Sequence, residues 1–303
     1  MVYLLQQVYL ERKMKAGINC IISPKAQIDE GVHIGNNVCI QDNVIIRKGV
    51  KIQDGSMICS GSEIGEDSYI DFNVIIRENV KIGKKAFIGA RCILGEYLMD
   101  FVQSREINVH KVSIGENAII RSETIIYGDN VIGDNFQTGH RVTIREKSSI
   151  GNNVRVGTLS DIQGDCIIGN YVNMHSNVHI GQKSVIKDFV WIFPYVVLTN
   201  DPNPPSEQLL GVTVEEFAII ATGSVVLPGK VIGRDSLVGA GAIVNKDVTE
   251  GKVVVGNPIR EIGDTANIKN KTTGESVYPW RYHFDRGMPW KEIGYDVWKE
   301  IKE

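Results

Sequence analysis

The groups in this 303-residue chain best suited to carrying a proton near neutral pH are its histidines. Three lie mid-chain: His140 in FQTGHRVTIRE, and His175 and His179 in IGNYVNMHSNVHIGQKSV. Asp161 stands three hexapeptides before His179, and both directly precede an isoleucine. A carboxylate beside an imidazole orients it and raises its basicity, which suits a general base. A surface histidine paired with an aspartate on a polar face leaves the same signature. His140 follows Thr138, a polar residue where the surrounding pattern calls for a large aliphatic one; departures from a local rule often mark functional sites. His175 has Gly157 at the corresponding spacing and no acidic partner, and His33, His110 and His283 show no pattern.

The elements that must hold these residues follow from a period of six. Isoleucine recurs at every sixth position from Ile22 to Ile88, and Leu94 closes the run. The period resumes, shifted by two, at Ile114 and continues to Leu198; a last run goes from Ile220 to Val244. These make 13, 15 and 5 hexapeptides, 33 in all. In the first run, four residues after each isoleucine comes a small or β-branched residue, as in Val38, Ser56 and Ser62. Six is neither the helical nor the strand period, and repeats of fixed length signal a solenoid. Each hexapeptide supplies one flat strand and one corner, and three of them close a triangular coil. Thirty-three units predict about eleven coils at roughly 4.8 Å spacing, on the order of 50 Å in length. Gly, Asn and Asp suit the corners because they accept left-handed backbone angles. An ordinary β-sandwich would need alternation of period two with hairpin turns, which is absent.

Composition narrows the class. With 33 Lys and Arg against 36 Asp and Glu, the formal net charge is −3, which gives no nucleic-acid footprint. The five cysteines are odd in number and lack a CxxC pair, so neither a disulfide framework nor a zinc cluster is expected. The N-terminus reads as neither signal peptide nor membrane span, and the expectation is a soluble, cytoplasmic protein with no membrane partner.

The hexapeptide pattern over roughly residues 20–260, together with the ending VGAGAIVNKDVTEGKVVVGNPIREI, resembles the hexapeptide-repeat acyltransferases. The resemblance implies an all-β fold, a left-handed parallel β-helix, that assembles as a homotrimer with active sites between subunits and uses acetyl-CoA as co-substrate. The domain plan it suggests is an N-terminal cap at 1–20, the β-helix at 21–260 with insertions at 95–113 and 199–219, and an aromatic-rich, partly helical tail at 261–303. The first insertion either reaches an acceptor site or packs on a neighbouring subunit. The second, TNDPNPPSEQLLGVTVEEF, is similar to the T-N-D-x-x-P-R loop of enzymes that N-acylate nucleotide-linked amino sugars. That similarity implies acceptor contacts for Asn200 and Asp201, although Pro205 replaces the family's arginine. Asn-Asp-Pro is also plain turn chemistry.

The cofactor face is expected at two small-residue pairs, Ala221 with Gly223 and Gly239 with Gly241, the second pair standing one coil after the first. Stacked patches poor in side chains make a smooth groove where pantetheine can lie on backbone amides. Lys246 and Arg260 would then meet its phosphates. The expected activity is transfer of acetyl to the amine of a nucleotide-linked amino sugar, with His179 or His140 as base and Asp161 behind His179. In some family members the departing sulfur takes the proton instead. The alternatives are an O-acyltransferase, a hydratase like the γ-carbonic anhydrases, whose metal-binding histidines are spaced five apart and not four, or a noncatalytic scaffold; no metal is expected. The tail ending WKEIGYDVWKEIKE reads as a short amphipathic helix, packing on the prism or across a subunit boundary, or stacking on a nucleotide base.

Overall fold

A computed structural model describes residues 15–108 and 110–302. The N-terminal cap expected at 1–20 therefore lies mostly outside the described residues. Two compact units, Met1–Cys166 and Ile167–Glu303, divide the chain.

In the first unit, strands of two to four residues stack in three parallel sheets, each strand pairing with those one coil before and after it. Tyr69–Ile70 pairs with Lys51–Ile52 on one side and Phe87–Ile88 on the other, and Ile75–Ile76 pairs with Met57–Ile58. In most of the two-residue strands the second residue points inward: Ile58, Ile64, Ile70 and Ile76 are all fully buried. Burying each such side chain contributes about 1.5–3 kcal/mol. The small position is more than small. Ser62 Oγ donates to the Arg77 carbonyl at 2.7 Å and accepts the Val80 amide at 3.2 Å, so a hydroxyl satisfies corner groups that a methyl would leave unpaired.

The corners turn through a residue with positive φ, filled by Asn37, Asn73, Lys85 and Arg91 as well as by glycine. The corner amide just before it is often capped from the next coil, as Asn36 N–H is by Asp54 Oδ1 at 2.8 Å. The first interruption carries a helix, Met99–Ser104, and the ladder resumes at Val112–Ile114.

The second unit continues the same architecture. Its interruption is shorter than the sequence suggested: Thr213–Val214 already pairs with Val185–Ile186 and Val231–Ile232, and Val214 is fully buried. Val214 stands six residues before Ile220, in the repeat, but inside the stretch read as the second insertion. The ladder also runs past Val244, with Lys252–Val255 pairing with Leu237–Val238 before the antiparallel strand Arg260–Asp264 closes it. With the early strand Lys15–Ala16 in the first unit, the parallel β-helix has about 13 turns against the expected eleven. Ala16 stands where the repeat has isoleucine, and Val254 follows Val244 by ten residues, so a search for aliphatics every six residues finds neither.

The tail packs on the outside of the second unit. Tyr171, Phe189 and Phe217 occupy successive corners at φ near 60°, costly for bulky residues. Their rings stack at 5.2 and 5.0 Å. Trp280, Met288, Trp290 and Tyr295 bury themselves against this column, Trp280 Nε1 donating to the Phe217 carbonyl at 2.9 Å. The expected terminal helix is present as Tyr295–Lys302. Phe217→Asn keeps a residue tolerant of positive φ while removing the ring. It is expected to leave the β circular dichroism unchanged and to expose 261–302 to limited proteolysis; a tail as resistant as the native one would contradict this packing account.

Candidate functional site

In the second unit, His179–Ile180 pairs in parallel with Val197–Leu198, from which the chain enters the 199–212 loop. Gly181 N–H donates to the Leu198 carbonyl at 2.8 Å. A methyl group on Gly181 would stand 3.2 Å from Asn200 Cβ. Asn200 thus sits beside the residue two places after His179. Its carbonyl accepts the Leu210 amide at 2.7 Å, while its side-chain amide bonds to none of the described residues.

Asp201 is differently employed. Its carboxylate accepts the Ser206 hydroxyl at 2.6 Å, the Ser206 amide at 2.8 Å and the Asn203 amide at 3.0 Å. The Ser206 hydroxyl chiefly, and those amides, hold its carboxyl below the ordinary value. Asp201 builds the loop that presents Asn200.

The glycine pairs stack as their spacing requires. Ile219–Ile220 pairs with Leu237–Val238, and Gly241 N–H donates to the Thr222 carbonyl at 2.9 Å. Ser224 Oγ lies 2.8 Å from the Ala221 carbonyl and 2.9 Å from that of Gly239, tying the patches together. Gly239 is needed sterically, since a Cβ there would stand 2.7 Å from Val255 Cγ1. Gly223 and Gly241 are not: a Cβ on either meets nothing within 4 Å. Nor does their positive φ demand glycine, because Asn177 and Tyr195 adopt it at corners of the same face. What glycine provides at 223 and 241 is bare backbone.

Two amides lie on that backbone. At another corner of this unit, Asn170 N–H is capped by Asp188 Oδ1 at 2.7 Å. At Thr222 the position one coil on is Ala240, and beyond Ala240 comes Gly256. Neither can cap, and the Thr222 and Ala240 amides have no partner among the described residues. Lys246 and Arg260 are exposed and enter no ion pair among the described residues.

An apolar cup of about 200 Å³, lined by Trp191, Phe193, Ile219, Trp280 and Phe284, opens where the tail meets the coils. His175 stacks on Phe193 at 4.8 Å, and burial lowers its pKa.

The remaining predicted residues lie in the first unit. His140 is an exposed corner residue whose amide donates to Thr158 Oγ1 at 3.2 Å. The polar residue before it is accounted for by packing: Thr138, buried, accepts the Arg121 amide at 2.9 Å. Asp161 accepts a hydrogen bond from the Gln163 side chain. No group of three or more His, Cys, Asp or Glu placed to hold a metal occurs among the described residues, and no described helix is long and apolar enough to cross a membrane. Sequence reasoning passed over His110, whose two nitrogens both meet carboxylates. Its partners lie 10 and 19 residues away, and His110 itself stands in an insertion that the repeat does not place.

A family model described as the GMPPB C-terminal domain matches residues 17–100. A Staphylococcus aureus 2,3,4,5-tetrahydropyridine-2,6-dicarboxylate N-acetyltransferase is 30% identical over 95 residues, 31% of this chain and 34% of that protein. The chain thus spans about a third of the length of the curated relatives it matches. Among solved structures, a UDP-N-acetylglucosamine O-acyltransferase from Moraxella catarrhalis is 22% identical, with 80% of this chain and 74% of that one covered and a TM-score of 0.36. PerB from Caulobacter crescentus, solved with CoA and GDP-perosamine, is 20% identical over 58% of this chain and 57% of its own, with a TM-score of 0.25.

Replacing Ser206 by Ala removes the bond that contributes most to the low Asp201 carboxyl. The Asp201 pKa is expected to rise toward 3.8, read by carboxyl-detected NMR titration. An unmoved pKa would mean that the loop is held in another way.

Proposed function

We propose that this chain, a hexapeptide-repeat β-helix protein, is a CoA-dependent acyltransferase that moves acetyl from acetyl-CoA to the amino group of a nucleotide-linked amino sugar. The observation that carries the reading is the bare strip at Gly223 and Gly241 with its uncapped Thr222 and Ala240 amides. Pantetheine is a thin chain with two amides of its own, and it can lie only where side chains are absent. Lys246 and Arg260 supply free cations for its phosphates. The similarity to an N-acetyltransferase supports the same class.

In the proposed reaction the neutral amine attacks the thioester carbonyl. A C–N bond forms, the C–S bond breaks, and CoA leaves as thiolate. Backbone amides that no protein group caps can donate to the oxyanion, a preorganised form of stabilisation. Asn200, whose side-chain amide bonds to none of the described residues, orients the acceptor. His179, on the strand beside Asn200, takes the amine proton, which otherwise passes to the departing sulfur. His140, on the first unit, serves that role only if a neighbouring subunit brings it to the loop; the proposed assembly is a homotrimer with its sites in the clefts. Acetyl-CoA occupies the strip, and the ring-lined cup offers stacking faces for the base of the nucleotide.

Calorimetric titration with acetyl-CoA, followed by thiol release with nucleotide-linked amino sugars and their hydroxyl counterparts, tests this. Micromolar binding with release on the amine alone is expected. Release on the hydroxyl sugar would make it an O-acyltransferase, and no CoA binding would remove the acyltransferase reading altogether. Gly241→Asn puts a side chain on the strip at an angle asparagine accepts. It should weaken acetyl-CoA binding at least about tenfold, a cost of about 1.4 kcal/mol, with the melting temperature unchanged.

A further inference from the structure

In the first unit the imidazole of His110 lies between two carboxylates. Nε2 is 2.7 Å from Asp100 Oδ2, and Nδ1 is 2.8 Å from Asp129 Oδ2. Asp100 belongs to the helix Met99–Ser104 of the first interruption. Asp129 belongs to the coil, at the corner between Ile125–Tyr127 and Asn130–Ile132. The ring therefore bridges the inserted segment and the prism.

The geometry also specifies a charge. An ionised carboxylate only accepts hydrogen bonds, so each of the two needs an N–H from the ring. Neutral imidazole has one N–H and imidazolium has two. Nor does Asp100 carry the missing proton: its bonds to His110 first, then to Asn108 and to the Phe101 amide, hold its carboxyl at about 2. The other end of the segment is fixed without titration. Tyr97 stacks on Phe101 at 4.0 Å, and the Arg77 guanidinium lies 4.2 Å over the Tyr97 ring.

We propose that His110 is a proton-operated clasp: as imidazolium it holds the 97–108 segment to the coil through Asp100 and Asp129, and its deprotonation frees the far end of that segment to swing about the Tyr97 anchor. The segment carries Met99, Val102 and Ile107 outward, 61%, 49% and 55% exposed. Release thus moves an apolar surface.

Among the described residues, these face the ring or its partners. Asp100 comes from the helix and Asp129 from the corner. Gly128 packs on its Cβ, where a Cβ on that glycine would stand 2.5 Å away. Asn108, neutral, donates to Asp100 at 2.7 Å. Partial burial pulls the His110 pKa down, but its hydrogen bonds to Asp100 and Asp129, with their charges, outweigh this and raise it above 6.5. A raised pKa means that the stabilisation is fully present below about 6.5 and is lost as pH rises through the folded value. On the acid side, Asp100 withdraws only as pH falls through about 2.

Hydrogen exchange of the full chain, followed by mass spectrometry from pH 5.5 to 8.5 and corrected for the intrinsic chemical rate, tests the clasp. Protection of 97–108 is expected to be lost progressively as pH rises through the folded value of His110. Its midpoint should lie above 6.5, with the coils at 112–132 unchanged. His110→Gln should remove the pH dependence, and Asp129→Asn should lower the midpoint. Flat protection in the native chain, a midpoint at or below 6.5, or an unaltered profile in His110→Gln would overturn the proposal. If His110→Gln fails to fold, the native profile and Asp129→Asn decide it.

Discussion

Two residues of extended chain cannot hold themselves in place, and nearly every strand in this molecule is about that long. What holds each one is the strand one coil away. The Tyr69 amide reaches the Ala86 carbonyl at 2.8 Å, and the Ile75 amide reaches Cys92 at 2.9 Å. This pairing must repeat around the prism without slipping, since a one-residue slip would turn the aliphatic side chains outward. The repeat length, the inward isoleucines and the positive φ at the corners all follow from that one requirement. It is strong enough to place Lys85, Arg91 and even Phe217 in backbone conformations that such residues rarely adopt alone.

Because the ladder uses up the backbone along the strands, chemistry is left to the corners and to the breaks in register. Corners are used in different ways. Asp188 caps the amide at Asn170. Beside Phe189 and Phe217, an aromatic column receives the tail, with Arg281 over the Phe217 ring at 4.6 Å. At Thr222 and Ala240 the amide has no partner among the described residues, as at Glu66 and Lys84. What sets these two apart is the pair of glycines that follows them one coil apart, with nothing within 4 Å of a Cβ on either.

The interruptions divide their residues between holding and presenting. In the 199–212 loop, Asp201 is bound by Ser206 and Asn203, while the Asn200 side-chain amide has no partner among the described residues. In the 97–108 segment, Asp100 is engaged by His110 and Asn108 while the apolar side chains face out. In both, an aspartate that resembles a reactive group is a structural acceptor. The distinction is geometric and cannot be taken from residue type.

The sequence alone determined the period, the parallel prism, the two breaks and the stacking of 221 with 239 and 223 with 241. Each depends on single residues at fixed intervals, and inward volume or corner tolerance belongs to one residue at a time. It missed the strand at Val214, which stands six residues before Ile220 but inside the stretch read as a loop. It also missed the end strands at Lys15–Ala16, where alanine replaces the large aliphatic, and Lys252–Val255, whose Val254 follows Val244 by ten residues. Only the tertiary structure decided that His110 is gripped by Asp100 and Asp129, that Asp201 belongs to its own loop, and that Thr138 is satisfied by the Arg121 amide. The His110 pairing depends on how an irregular segment folds back on a regular one, the Asp201 pairing on how a loop closes on itself, and the Thr138 pairing on a side chain reaching one coil back; none of these is written in the inward period of six. A periodic sequence reports its own lattice; where the chain leaves that lattice, partners are chosen by distance in space.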